Sequence, residues 1–291
     1  MRLNPFNPGS IKVRRAGGGG GFPGGRGGGI GCGTLVIAAI AYFVFGADPL
    51  QTIGAIGGTD TSVPMERQAS GSESAAEICD DNRYAMETCN ALASLNETWA
   101  PIFREENIRF EQPTLAFPES NRFNSGCGAA SAGMGPFYCP ADMGIYIDTR
   151  FYDQMERQLG AGGDFARYYV VAHEYGHHIQ NLTGLASQVR SAQAQDRRRA
   201  NELNVRMELQ ADCYAGVWAS RNRNLIEPGD LQEGLRAASA IGDDTLQRNA
   251  GQRINPESFT HGTSEQRMRW LRIGLETGDE DQCDTFADLR R

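Results

Sequence analysis

The chain has 291 residues, a formal net charge of -8 and a sequence pI near 5.1. That length can hold one large domain or two small ones, with enough apolar residues for a hydrophobic core. An acidic chain lacks the basic face on which nucleic-acid binders depend, so no nucleic-acid partner is expected.

The charge is unevenly spread. No Asp or Glu precedes Asp48, whereas Arg2, Lys12, Arg14, Arg15 and Arg26 supply five positive charges. Residues 1–29 include the run AGGGGGFPGGRGGG. With so little apolar surface to bury, the segment reads as a disordered, basic, Gly-rich and cytoplasmic end. The stretch IGCGTLVIAAIAYFVFG, Ile30 to Gly46, follows without a single charge. Its seventeen residues lie at the lower limit for a membrane span, and residues 30–47 are predicted to form one transmembrane helix. The disordered flanks argue against a buried core helix. A cleaved signal peptide fits less well, because Phe45-Gly46-Ala47 lacks a small residue at its first position. Positive charge before the span and none immediately after it keep the amino terminus cytoplasmic. The rest of the chain is then expected outside the cytoplasm, anchored to a bacterial inner membrane by a single pass. Residues 48–74, rich in Gly, Ser and Thr, have linker composition. The ordered domain is assigned to residues 75–291.

Apart from Cys32 there are six cysteines, an even number that suggests disulfides outside the cytoplasm. Short spacings favour Cys79–Cys89 and Cys127–Cys139, leaving Cys213–Cys283; free buried thiols are the alternative. No CxxC pair occurs, so a cysteine zinc site is not expected.

Within the domain, Leu92, Leu95, Trp99 and Phe103 form one helical stripe, with Pro101 a candidate kink or stop. IRFEQPTLAF reads as strand, and GPFYCPADMGIYID as a hairpin turning at Pro140–Gly144. A short helix around RFYDQMERQL precedes one capped by Asp164 and stopped at Gly184. A long helix is expected over roughly 194–222, another after Pro228-Gly229-Asp230, and a last one in TSEQRMRWLRIGLE. The fold class is α+β, mostly helical, with a small antiparallel sheet.

VVAHEYGHHIQ, residues 170–180, holds three of the four histidines. On a helix His173 and His177 project from one face and can grip one ion. Glu174 is turned about 100° from His173, so it can reach a water on that ion without ligating it. This is the zinc-hydrolase pattern H-E-x-x-H. His178 points away from the pair. A catalytic zinc usually takes three protein ligands. Glu208, in NVRMELQADCYAGVWA, is the candidate third. Asp212, one turn on, can fix a ligand histidine through its far nitrogen. Leu209, Ala211, Tyr214, Val217 and Trp218 make that helix apolar, so the two carboxylates need partners.

AHEYGHHIQN, ELQADCYAGVWA, SGCGAASAGMGPFYCPAD and THGTSEQR together resemble the neutral zinc metallopeptidase family of bacterial membrane-anchored proteins, a gluzincin-like group. The resemblance runs from about Ala75 to the carboxyl terminus, and the basic, Gly-containing amino end with one span also resembles the family. It implies a zincin-like metallopeptidase domain, Zn2+ as cofactor, a peptide or protein substrate, and Glu208 as the ligand from the E-x-x-x-D helix. Tyr175 is bulkier than the small residue expected inside the motif.

The chemistry implied is zinc-assisted amide hydrolysis with Glu174 as general base. The oxyanion needs a further donor. His261, the one histidine outside the motif, is the candidate, and Arg267 the second choice. The hairpin near Phe137–Tyr146 offers an edge strand for an extended peptide. The alternative is a membrane-anchored, catalytically inactive scaffold that keeps zinc for stability. Such a site is normally closed by four protein ligands and has no use for Glu174.

Overall fold

The structure is a computed structural model describing residues 1–17 and 73–290. The predicted transmembrane helix and nearly all of the linker lie outside the described residues. Among those described, no helix is long and apolar enough to cross a membrane.

The helices are α1 (Ala75–Cys79), α2 (Arg83–Glu105), α3 (Arg150–Leu159), α4 (Asp164–Leu182), α5 (Leu185–Gln195), α6 (Ala200–Arg221), α7 (Asp230–Ala240), α8 (Asp243–Asn249) and α9 (Ser264–Thr277). The strands are β1 (Lys12–Ala16), β2 (Thr114–Pro118), β3 (Arg122–Ser125), β4 (Gly128–Ser131), β5 (Phe137–Cys139) and β6 (Gly144–Tyr146). The class is mostly helical α+β.

Several boundaries follow from local chemistry. The Asn82 side chain accepts from Ala85 N–H and starts α2, whose stripe Leu92, Leu95, Trp99 and Phe103 is buried. Pro101 lies within the last two turns and does not end the helix, so of the two expected effects, kink or stop, the stop does not occur. Asp164 is the first residue of α4, not its cap. Gly184 takes the left-handed conformation just beyond α4 (φ 79°), which a side chain would disfavour. The long helix expected over 194–222 is two pieces, because Asp196 adopts an extended backbone and caps the turn at Arg197–Arg199 between α5 and α6.

The sheet differs from the expected small antiparallel one. Its order is β1-β2-β6-β5, with β1–β2 and β2–β6 parallel and only β5–β6 antiparallel, the hairpin around Pro140. β3 and β4 make a separate antiparallel hairpin. The extra strand comes from the segment read as disordered. Val13 and Leu115 pair in register, Ile11 and Ala16 are buried, and residues 1–17 belong to the folded body. The misreading has a physical reason. A basic five-residue edge strand that covers its neighbour on one side carries no alternating apolar pattern. The three disulfides pair as Cys79–Cys89, Cys127–Cys139 and Cys213–Cys283.

Helix α4 is buried almost all round and packs against α2, α6 and α7, while α6 and α9 form the most extensive helix contact. Small residues set these distances. A Cβ on Gly176, inside the H-E-x-x-H motif, would sit 2.8 Å from Ala211 Cα. One on Gly216 would sit 2.3 Å from Leu271 O, and one on Gly274 2.0 Å from Cys213 O. The backbones of α4, α6 and α9 therefore nearly touch where they carry the motif residues. Gly176→Ala is expected to lower stability by ~1–3 kcal/mol through overpacking. It should also weaken zinc binding by parting α4 from α6. Thermal melting with and without zinc checks this, and an unchanged melt in both states would contradict it.

Candidate metal centre

Because α4 and α6 cross at Gly176 and Ala211, His173 and His177 face Glu208 across the contact. His173 Nε2 lies 3.1 Å from Glu208 Oε2, and His177 Nε2 lies 3.4 Å from Oε1. One ligand atom from each of the three residues fits within 4.8 Å. Tetrahedral zinc with bonds of ~2.0–2.1 Å has ligand–ligand edges of roughly 3.3 Å. The spacing and the donor set of two imidazoles and one carboxylate therefore suit zinc.

Each imidazole is held from behind. His173 Nδ1–H donates to Asp212 Oδ1 at 2.8 Å, and His177 Nδ1–H donates to Gln180 Oε1 at 2.9 Å. Both Nε2 atoms are thereby left as acceptors for a cation. Gln180 is itself fixed, donating to Met207 O and Gln210 Oε1, and Gln210 donates to Cys283 O beside a disulfide. Asp212 is fully buried. It accepts from Tyr169 O–H at 2.6 Å and from Arg267 through Nη2 at 2.8 Å and Nε at 2.9 Å. Burial alone would raise the Asp212 pKa, and Arg267 and His173 hold it down instead. Arg267 is 1 % exposed and spends its guanidinium on Asp212 and Tyr169. The second-choice role for Arg267, donation to an oxyanion, is corrected on this geometry.

Glu174 sits beside the three ligand residues but outside the metal-ligating group, 8 % exposed. Burial raises its carboxyl pKa, opposed by the charges of His177 and His173, which suits a proton acceptor. Glu208 is shifted the other way. Burial would raise it, but His177, His173 and His261 together hold it well below the usual carboxylate range.

His261 sits in a loop packed on α6 beside Glu208, where a Cβ on the next residue, Gly262, would lie 3.1 Å from Val205 Cγ1 and 3.3 Å from Leu209 Cδ2. It is 3 % exposed, and its Nε2 has no hydrogen-bond partner among the described residues. Its Nδ1 lies 3.1 Å from Asp243 Oδ1, and Asp243 Oδ2 accepts the backbone N–H groups of Thr260, His261 and Gly262. Asp243 thus fixes both the loop and the ring. His178 lies apart from the metal group, with Nδ1 at 3.0 Å from Tyr138 O–H and Nε2 at 2.7 Å from Glu111 O, tying α4 to the β5 hairpin. Burial lowers its pKa to about 4, against the pull of Glu111. A second cluster, Asp164, Asp230 and Glu233, satisfies the same distance test but offers carboxylates alone. The Met1 ammonium group pairs with two of them, at 3.1 Å to Asp164 and 2.7 Å to Asp230.

A family model described as "Putative neutral zinc metallopeptidase" matches residues 6–286, and the chain belongs to that family. The match begins well before Ala75, in agreement with an ordered amino-terminal strand. The chain is 43 % identical to the uncharacterized protein YpfJ of Escherichia coli (strain K12), over 93 % of this chain and 91 % of that one. It is 42 % identical to the uncharacterized protein Rv2575 of Mycobacterium tuberculosis (strain H37Rv), over 72 % of this chain and 74 % of that one. No solved structure matches.

Proposed function

We propose that the protein is a zinc-dependent peptidase that hydrolyses peptide bonds with Glu174 as general base and works outside the cytoplasm. The observation that carries this reading is the arrangement on α4: two histidines meet Glu208, while Glu174, next to His173 in the chain, is not part of the group that could hold a metal. Bound at His173, His177 and Glu208, zinc would supply a Lewis acid that lowers the pKa of water toward ~7 and polarises a carbonyl. Glu174 takes the proton of the attacking water on its carboxylate and passes it to the leaving amine. His261, with Nδ1–H held by Asp243, donates through Nε2–H to the charge that develops on the carbonyl oxygen, a role that requires the ring as imidazolium. Asp212 and Gln180 keep the two imidazoles in the tautomer that leaves Nε2 free. β5 is one of the two edge strands of the sheet and packs against α4, the helix that carries the motif, so an extended peptide could add to it. The disulfides favour an oxidising compartment.

Two outcomes test the assignments. Glu208→Gln removes the one anionic ligand and should strip zinc on dialysis against a weak chelator. Full occupancy by elemental analysis would sink Glu208 as a ligand. His261→Gln should lower kcat by ~10²–10³ with zinc retained, as expected for loss of an oxyanion donor. Asp243→Asn should give a smaller fall in the same parameter. An unchanged kcat in His261→Gln assigns the oxyanion to another group.

A further inference from the structure

Beyond α9 the chain doubles back along α6. Gly278 takes the left-handed conformation (φ 61°). Arg221, at the end of α6, holds this turn by donating to Gly278 O at 3.0 Å and to Glu280 Oε2 at 2.8 Å. Further on, Cys283 bonds Cys213. Beyond that the Thr285 hydroxyl donates to Arg206 O at 2.8 Å, and Arg206 Nη1 donates to Thr285 O at 2.6 Å. Residues 278–285 are thus a strap running antiparallel to α6. Its contacts with Arg206 and Gln210 fall one on each side of Glu208 in the sequence.

From the strap a run of hydrogen bonds leads to His177, and two carbonyls dictate its direction. Cys283 O can only accept, so Gln210 must present its amide N–H there, at 3.0 Å. Gln210 Oε1 is then the atom that accepts from Gln180 Nε2, at 3.0 Å. Met207 O, again an acceptor only, takes the other N–H of Gln180 at 2.8 Å. Gln180 Oε1 is left to face His177 Nδ1 at 2.9 Å, so that nitrogen has to carry the proton. The bare lone pair falls on Nε2, the atom 3.4 Å from Glu208. Gln180 and Gln210 are both buried, so bulk water does not stand in for a missing partner.

We propose that Gln210 and the carboxyl-terminal strap are positioning elements for His177, and that the Cys213–Cys283 bond sets zinc affinity through them. The inference rests on zinc being held by His173, His177 and Glu208. Without the disulfide the strap is free to part from α6, and Gln210 loses the carbonyl that orients its amide. A Gln210 amide turned over sets its N–H groups against those of Gln180, and the frame around His177 loosens. Closing the strap is a two-electron oxidation. The S–S bond forms as both thiols give up their protons and electrons, and a partner disulfide takes these up to become two thiols. Cys213 and Cys283 are 0 % exposed, so the bond is a latch closed as the chain folds, not a switch open to thiols in solution. Tight zinc binding is thereby reserved for chains matured in an oxidising compartment.

The test is the zinc dissociation constant of the full-length protein, read by competition with a chelator and without any substrate. Cys213→Ser with Cys283→Ser should weaken binding ~10–100-fold, the usual cost of losing a partner behind a metal ligand. Gln180→Leu should weaken it similarly. Combining these changes should cost no more than Gln180→Leu alone, because they cut one path. Cys79→Ser with Cys89→Ser removes the other disulfide between buried cysteines, and should lower the melting temperature while zinc affinity stays near wild type. Wild-type affinity without Cys213–Cys283, losses that add, or an equal loss without Cys79–Cys89 would each overturn the proposal. Should the Cys213/Cys283 variant not fold, Gln210→Leu cuts the same path with the disulfide intact. The same loss is expected there, and wild-type affinity overturns the proposal. A wild-type protein that binds no zinc fails the metal assignment itself, and this proposal with it.

Discussion

Glu174→Gln is expected to lower peptide hydrolysis by ~10²–10⁴, the usual worth of general-base catalysis, while zinc content and melting temperature stay near wild type. The substitution keeps the shape of the side chain and removes its proton acceptor. The carboxylate is buried next to the ligand group yet not part of it, so the substitution removes no ligand atom. KM should change little, since the proposed peptide contacts, the β5 edge and the metal, are left untouched. A zinc-stabilised scaffold gives a different pattern, with no turnover by the wild type and no cost in the variant. A fully zinc-loaded Glu174→Gln protein cleaving at the wild-type rate would remove Glu174 from the mechanism.

Arg267→Met should be the most destabilising single change near the site. Arg267 and Asp212 are both essentially inaccessible, joined by two hydrogen bonds, and Asp212 also receives Tyr169 and His173. Removing one member of a buried ion pair leaves the other uncompensated, at a cost of ~3–5 kcal/mol. For a domain of this size that corresponds to roughly 10 °C in melting temperature. Denaturant unfolding of the zinc-free protein isolates the effect from metal binding. Adding Asp212→Asn to Arg267→Met should recover part of the loss, because the stranded charge is gone. A loss below about 1 kcal/mol would mean that solvent or another cation reaches Asp212.

The grouping of His173, His177 and Glu208 was the most legible part of the chain, because helix periodicity converts sequence spacing into geometry. His173 and His177 share a face at four residues' separation, and so do Glu208 and Asp212; burial of the latter pair supplies the reason for their partners. Contacts between distant segments were less legible. Asp243 reads as an ordinary acid in the first turn of α8, and only the fold sets it under His261, eighteen residues on. Gln180 follows His177 by three residues and could have been suspected from that spacing; Tyr169 and Arg267 could not be matched to Asp212 without the α4–α6 and α6–α9 contacts. The largest miss, β1, has a tertiary cause. An edge strand held by a parallel partner and by ion pairs looks from sequence like a charged tail.

Digestion of an unstructured peptide library by the purified full-length protein tests the central claim most directly. New peptide termini are read by mass spectrometry with the protein as isolated, after zinc removal by chelation, and after return of about one equivalent of zinc per chain. Cleavage that disappears with the metal, returns with it and is absent in Glu174→Gln is the predicted result. Protein fully loaded with zinc that cuts no peptide, or zinc-free protein that cuts at an undiminished rate, would contradict it.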